Sequence, residues 1–151
     1  MTTHATVATE SVPESEFQAI AALGLNFYQQ GRLQDAETLF RFLLLLHPNA
    51  YYAHAGLGVV AMSQQPPNLA EAYESLSKAA ALNADDPSVQ ASLGEVLLGQ
   101  AKLKEAALHL RRAVELDSQQ NDPGANRARA ILHRLSGMAD DLRKFKASNA
   151  A

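Results

Sequence analysis

The chain has 151 residues, of which 47% are hydrophobic, and a formal net charge of −3 at neutral pH. This size suits one compact domain or one short repeat array, and so small a charge does not favour nucleic acid as a partner. The chain contains no cysteine, which excludes a disulfide framework and thiolate chemistry.

The first 16 residues are rich in Thr, Ala, Glu and Ser and show no periodicity. We expect residues 1–16 to be a disordered extension. They have neither the basic start nor the apolar stretch of a secretory signal, and the apolar run 42–46 is too short to cross a bilayer. The sequence therefore predicts a cytoplasmic protein without membrane insertion.

From Phe17 onward the pattern is that of helices separated by Gly and Pro. It predicts seven helices, over residues 17–30, 33–46, 51–64, 69–82, 87–99, 103–117 and 124–146. No strand is expected, so the fold class is all-α.

Two dipeptide markers recur along the chain. Leu-Gly occurs three times, at Leu23-Gly24, Leu57-Gly58 and Leu93-Gly94. An acidic residue followed by Ala occurs at Asp35-Ala36, Glu71-Ala72 and Glu105-Ala106. The intervals are 34 and 36 residues in both sets, in opposite order, which places a two-residue insertion at Pro66-Pro67.

A period of 34 residues with these markers resembles the tetratricopeptide repeat, a helix–turn–helix unit. The resemblance implies a right-handed α-solenoid of three helix pairs within a domain spanning 17–146. The pairs lie at about 17–50, 51–86 and 87–120, and a capping helix follows at 124–146.

The repeated residues have clear physical roles. Glycine at the marker positions lets the two helices of a pair approach closely, and Phe40, Leu76 and Leu110 occupy the space between one pair and the next. Gly31 suits a turn with positive φ, and Pro48 ends the second helix.

The last helix carries apolar residues at intervals of three or four, which predicts a cap over the open end of the third repeat. These residues are Ala128, Ile131, Leu132, Leu135, Met138, Leu142 and Phe145. Residues 123–151 also hold six basic and two acidic residues. This basic region is either a solvated surface, the interpretation we favour, or a partner-binding face.

Nothing in the sequence indicates catalysis. The five histidines are scattered and form no metal-ligand spacing with Asp or Glu. We interpret His54 as a buried, hydrogen-bonded residue and Asp86 as a helix cap before Pro87. The sequence thus predicts no catalytic residue, no metal and no cofactor.

In tetratricopeptide repeats the first helix of each pair lines a concave groove. Carried onto this sequence, that property predicts a peptide-binding groove formed by Leu25, Tyr28, Gln29, Tyr52, Ala55, Val59, Met62, Glu95 and Leu98. Some repeat proteins hold a peptide's terminal carboxylate with Lys, Arg and Asn at such positions, and none of these residue types occurs at them here. We therefore expect an extended apolar peptide as ligand, although packing against neighbouring helices is the alternative for the apolar members.

The order of these motifs is similar to that of the class II chaperones of type III secretion, and the likeness is strongest over 23–58. The resemblance implies that the chain binds an extended segment of a secreted translocator protein and forms a homodimer. A scaffold in another assembly, such as pilus biogenesis or a regulatory complex, is the alternative function.

Four leucines end the second helix. Leu43, Leu44 and Leu46 fall at positions that such repeats bury. Phe42 and Leu45 fall at positions that are usually polar, so we expect them on the convex side. This pair predicts a self-association surface, unless residues 1–16 cover it.

Overall fold

The computed structural model describes residues 12–150, which form seven helices and no strand. The helices are α1 (Glu14–Gln29), α2 (Leu33–Leu46), α3 (Tyr51–Ser63), α4 (Leu69–Leu82), α5 (Pro87–Gly99), α6 (Leu103–Leu116) and α7 (Pro123–Ser148). All seven predicted helices are confirmed, with boundaries that differ by at most three residues.

The helices pack as three consecutive hairpins and a final helix. Within the hairpins α1 packs on α2, α3 on α4 and α5 on α6, and each hairpin packs on the next. Helix α7 packs on α5 and α6. Because every hairpin contacts only its neighbours, the core runs along the array rather than forming one centre.

Asx side chains fix the beginnings of several helices. The side chains of Asn68, Asp86 and Asp122 each accept a hydrogen bond from a backbone N–H in the first turn of α4, α5 and α7. Proline follows directly after Asp86 and Asp122, where its missing N–H costs no helical hydrogen bond. The interpretation of Asp86 as a helix cap is confirmed.

Helix α1 begins at Glu14, three residues before the predicted start. Glu14 and Glu16 lie in its first turn, where carboxylates interact favourably with the helix dipole. The hydroxyl of Tyr52 also donates a hydrogen bond to Glu14 Oε1 at 3.0 Å. These interactions extend the helix into the predicted disordered extension, of which residues 1–11 lie outside the described part of the chain.

The hairpins close where glycine faces a large side chain. A Cβ atom at Gly24 would lie 2.9 Å from the Phe40 ring, and one at Gly58 would lie 2.5 Å from Cγ of Leu76. In the third hairpin a Cβ at Gly94 would lie 2.7 Å from the same atom of Leu110. The three large side chains are almost fully buried, as predicted from the repeat.

The turn inside the first hairpin has the expected backbone. Gly31 adopts φ = 75°, and α2 ends at Leu46, before Pro48. The third hairpin uses the same left-handed conformation with Ala101, at φ = 59°. Both turns therefore have closely similar geometry even though only the first contains glycine.

The first hairpin leaves the beginning of the array open. Leu23 is 47% exposed, whereas the equivalent Leu57 and Leu93 are 6% and 3% exposed. The difference arises because α3 and α5 each pack against a preceding hairpin, and no described element precedes α1.

The leucine run of α2 differs in one respect from expectation. Leu43 is buried and Leu44 half-buried, and Phe42 and Leu45 are exposed as predicted, the latter to 81%. Leu46 was predicted to be buried and this is wrong, since it is exposed. It is the last residue of the helix and lies one turn beyond Phe42, so it continues the exposed side.

Polar contacts hold α7 in place at its beginning. The Asp117 carboxylate accepts hydrogen bonds from the backbone N–H groups of Asn121 and Asp122, both at 3.2 Å. Arg129 Nη1 donates to the other carboxylate oxygen at 2.9 Å. Ala125 and Ala128 are fully buried beside this network.

The prediction that the whole apolar side of α7 caps the third repeat is wrong for its second half. Ile131 and Leu132 pack on the core between α5 and α6. Met138, Leu142 and Phe145 are exposed to between 53% and 65%. The helix has 26 residues, while the other six have 13 to 16, so its second half extends past the hairpin that it caps.

The close approach at Gly58 predicts the outcome of a matched pair of substitutions. Gly58→Ala places a methyl group against buried Leu76 and should lower the free energy of unfolding by about 1–3 kcal/mol. Gly137 lies inside α7, and beyond the helix's own backbone no atom lies within 4 Å of its Cβ position, so Gly137→Ala should raise the free energy of unfolding by about 0.5–1 kcal/mol. Urea unfolding measures both values, and equal effects would contradict the packing described.

A half-buried histidine predicts a pH dependence of stability. His109 Nδ1 donates to Gln90 Oε1 at 2.8 Å, and burial lowers the pKa of His109 below its usual 6.5. As pH falls below 6.5, the unfolded chain takes up this proton before the folded chain does, so folding stability should fall.

The measurement is the urea midpoint between pH 7.5 and pH 5. His109→Gln should reduce the loss of stability in this window, whereas His133→Gln, a change at an exposed site, serves as the control. An unchanged pH profile in His109→Gln would show that His109 is not responsible.

Candidate functional site: an apolar cleft between the first helices

A cleft with a volume of about 390 Å³ lies among α1, α3 and the beginning of α5, the first helices of the three hairpins. Leu25 and Tyr28 line one side, and Tyr52 and Val59 line the other. Phe40 and Leu76 form its floor, and they are the same buried side chains that pack against glycine in the hairpins.

Small residues create the space of the cleft. Ala21 and Ala55 line it, and Gly56 lies directly over the Phe40 ring. A Cβ atom at Gly56 would approach that ring to 2.5 Å. A larger side chain at Gly56 would therefore displace the floor of the cleft.

Five of the nine predicted groove residues meet at this cleft: Leu25, Tyr28, Tyr52, Ala55 and Val59. The other four do not line it, and their binding role stays a prediction. Gln29 is exposed at the last residue of α1, and Met62 packs against the core shared by the second and third hairpins.

Glu95 and Leu98 lie farther along the array. Arg127 of α7 donates to Glu95 Oε1 at 3.0 Å, so this carboxylate already has a cationic partner. Leu98 is partly buried and packs against two neighbouring cores. The structure thus favours core packing as the main role of Leu98.

Hydroxyl groups in the cleft have partners within the chain. Tyr28 and Ser63 hydroxyls are 3.1 Å apart, and Ser63 donates to the carbonyl of Val59 at 3.0 Å. Burial, together with the hydrogen bond to Glu14, raises the pKa of Tyr52 to about 12. Tyr52 therefore stays neutral at physiological pH and presents its ring to the cleft.

The beginning of α5 forms the polar rim. Asp86 accepts a hydrogen bond from the Val89 N–H at 3.1 Å, and the Ser88 hydroxyl donates to Asp122 at 3.1 Å. None of the residues that line the cleft in the described chain is Lys or Arg. The site therefore offers apolar area rather than a charged clamp.

Several residues that line the cleft were not predicted from the sequence to do so: Phe40, Leu76, Tyr51, Val89 and Ser92. Phe40 and Leu76 were assigned only to packing between hairpins. Gly56 could have indicated their role. A second glycine so close to Gly58 has no side chain that would cover Phe40 and Leu76 on the side of the cleft.

The structure also bears on two exclusions made from the sequence. Within residues 12–150 there is no group of three or more His, Asp or Glu placed to hold a metal ion. The predicted hydrogen bond of His54 is confirmed, since its Nε2 lies 2.9 Å from the carbonyl oxygen of Pro48. Its predicted burial is wrong, because the residue is only partly buried. None of the helices in these residues is both long enough and apolar enough to cross a membrane.

Comparison with known proteins defines the class. The family model for the tetratricopeptide repeat matches residues 21–87. A tetratricopeptide repeat-containing protein of Caenorhabditis elegans, trd-1, is 37% identical over 92 residues. Together with the stacked hairpins, these matches confirm the predicted α-solenoid fold of tetratricopeptide-like helix pairs.

Within that class, the chain resembles the translocator chaperones of type III secretion. The chaperone SicA of Salmonella typhimurium is 27% identical over 122 residues. PcrH, solved in complex with the chaperone binding region of PopD, superposes with a TM-score of 0.72 at 26% identity, over 85% of this chain and 96% of that chain. The translocator chaperone SycD of Yersinia enterocolitica gives 0.67 at 26% identity, over 81% and 91%.

The extent of these matches differs. The aligned region spans 60% of this chain and 11% of the Caenorhabditis elegans protein, but 81% of this chain and 70% of SicA. The likeness to the chaperones therefore extends over most of the array, whereas the match to the worm protein covers only a small part of that protein.

Proposed function

We propose that this protein is a non-catalytic chaperone that holds an extended apolar segment of a secreted translocator protein in the cleft between α1, α3 and α5. The observation that carries the proposal is the cleft itself: apolar, floored by Phe40 and Leu76, and lined by three tyrosines. The known complexes support it, since PcrH was solved with segments of PopB and PopD and SycD with a peptide of YopD.

The physical mechanism is shielding of apolar surface. A membrane-active protein exposes apolar segments that would aggregate in the cytoplasm, where we place this chaperone. A cleft of about 390 Å³ accepts a few side chains of an extended chain and not a folded domain. Each apolar side chain buried there contributes roughly 1.5–3 kcal/mol.

The chemistry of the lining favours binding over catalysis. Its one carboxylate, Asp86, caps α5, and the Tyr52 hydroxyl is bound to Glu14. Asp86 is engaged by the Val89 N–H, and the pKa of Tyr52 is raised rather than lowered, so neither group is activated for catalysis. Aromatic rings with fixed hydroxyls provide large contact areas at low entropic cost.

A scaffold in another assembly is the second candidate. The observation in its favour is that the worm repeat protein is more identical to this chain, at 37%, than SicA is, at 27%. Co-purification from the native host distinguishes the two functions. A single partner with apolar membrane-type segments supports the chaperone, and a large stable complex without such a partner supports the scaffold.

Leu25→Glu should weaken binding of the partner. Leu25 is half-exposed in the cleft, so the change places a charge where an apolar side chain would bind, without disturbing the core. We expect affinity to fall about 10- to 150-fold, the equivalent of one buried leucine. Titration calorimetry measures this, with the segment that the chain protects from proteolysis as titrant.

Leu108→Glu is the matched control, because Leu108 is an exposed leucine of α6 that does not line the cleft. It should leave the affinity unchanged. Wild-type affinity in Leu25→Glu would remove the cleft as the binding site.

We also propose that the exposed side of α2 is a self-association surface. Leu45 and Leu46 lie about one turn beyond Phe42, and all three side chains are exposed. Contiguous apolar side chains of this kind usually mark an interface. SycD was crystallised in more than one dimer, which supports a dimer here.

Leu45→Glu should lower the mean mass in solution, because it introduces a charge at the most exposed position of this surface. Light scattering at matched concentrations measures the mass, and Leu108→Glu again serves as the control. A wild-type protein that already has the mass of one chain would refute the proposal.

A further inference from the structure

The second half of α7 carries an uncovered apolar stripe with the spacing of a coiled coil. Residues that are apolar or small recur along the helix at intervals that alternate between four and three. They are Gly124, Ala128, Ile131, Leu135, Met138, Leu142 and Phe145. A regular alternation of this kind has a period of 3.5 residues, which is the signature of a seam between two helices. We call these residues the seam.

The seam changes its surroundings along its length. Its first half, through Ile131, packs on α5 and α6, and its second half extends past them. Leu135 is half-buried, and the three residues that follow it in the seam are exposed. The seam is thus covered by α5 and α6 of the same chain along its first half and uncovered along its second half.

An isolated helical extension of this length is only marginally stable in water. Here it presents Met138, Leu142 and Phe145 on one side, which adds an unfavourable exposed surface. A partner helix would stabilise it by continuing the packing that α5 and α6 begin.

We infer that the partner is the same stretch of a second copy of this chain, running antiparallel. A parallel partner would have to continue upstream into the space that α5 and α6 occupy along the first half of the seam. In an antiparallel pair, the hairpins of the second copy instead lie beyond the C-terminal end of α7, where they do not collide with α5 and α6 of the first copy.

The open part of the seam is symmetric about residue 140, so it is complementary to itself. A two-fold axis near that point pairs Leu135 of each copy with Phe145 of the other copy. It likewise pairs Met138 of each copy with Leu142 of the other. Ala139 lies beside the axis and allows the helices to approach closely. Such an isologous contact closes on itself.

The flanking charges fit this arrangement. Arg134 and Asp141 precede seam residues, and within the described chain neither forms an ion pair. In the antiparallel pair the two Asp141 carboxylates lie nearest the axis, and an Arg134 from each copy flanks them and offsets their mutual repulsion. Of the other basic residues in this half of α7, Arg143 and Lys144 lie away from the seam, and Lys146 flanks it on the same side as Ala139.

This surface is at the opposite end of the array from Phe42 and Leu45, so one chain can use both. The inference does not depend on the chaperone function. It can fail while the cleft binds its partner as proposed, and it can hold if the cleft does not.

The absence of native cysteine allows a direct test by disulfide formation. A mixture of full-length Met138→Cys and Leu142→Cys proteins should yield mainly the mixed disulfide, because these positions face each other only in the antiparallel pair. Ser136→Cys, on the opposite side of the helix, is the control for random collision. A mixed yield no higher than the Ser136→Cys yield, or a predominance of disulfides between identical positions, would overturn the inference.

A second mixture tests whether another surface covers the stripe. Met138→Cys combined with Leu45→Cys would form a mixed disulfide if the stripe docked on α2 of a second copy. We expect no such product above the control level, and its formation would overturn the self-pairing.

Sedimentation in the Leu45→Glu background then isolates the α7 contact. Leu142→Glu should reduce this protein to the mass of one chain. Arg134→Glu should raise the dissociation constant roughly two- to tenfold, and Lys144→Glu, the same charge change away from the seam, should not alter it. Equal effects of the two charge changes would contradict the proposed pairing.

Discussion

The structure depends on the close contact between glycine in the first helix of each hairpin and a large side chain from the second. At Gly58 the distance is so short that even a methyl group would meet Leu76 at 2.5 Å. This contact sets the separation of the two helices and buries Leu76 completely. Gly24 with Phe40, and Gly94 with Leu110, repeat the arrangement, so three hairpins of nearly equal geometry stack in register.

The cleft is a direct consequence of this packing. Phe40 and Leu76 reach through the hairpins to the concave side because glycine leaves their path open, and there they become the floor of the cleft. Binding surface and core are therefore built from the same side chains. The array also has two open ends, at Leu23 and along the second half of α7, because a solenoid buries a hairpin only where a neighbour exists.

The periodicity of the sequence was sufficient to predict the helices, the repeats and the glycine contacts, because these depend on local spacing. It also predicted the positions of Leu25, Tyr28 and Val59 at the cleft. It did not reveal that Leu98 is used for packing, or that Leu46 and Met138 are exposed. Those outcomes depend on where each helix ends and on whether a neighbouring element covers it, which spacing within one helix does not specify.

The central claim is that the concave cleft is where the partner binds. The chain has four tyrosines, of which Tyr28, Tyr51 and Tyr52 line the cleft and Tyr73 of α4 does not. The most direct measurement is the fluorine NMR spectrum of the fluorotyrosine-labelled protein, with and without its co-purified partner segment. The account predicts that the signals of Tyr28 and Tyr52 shift while that of Tyr73 stays in place. A shift of the Tyr73 signal alone would contradict it.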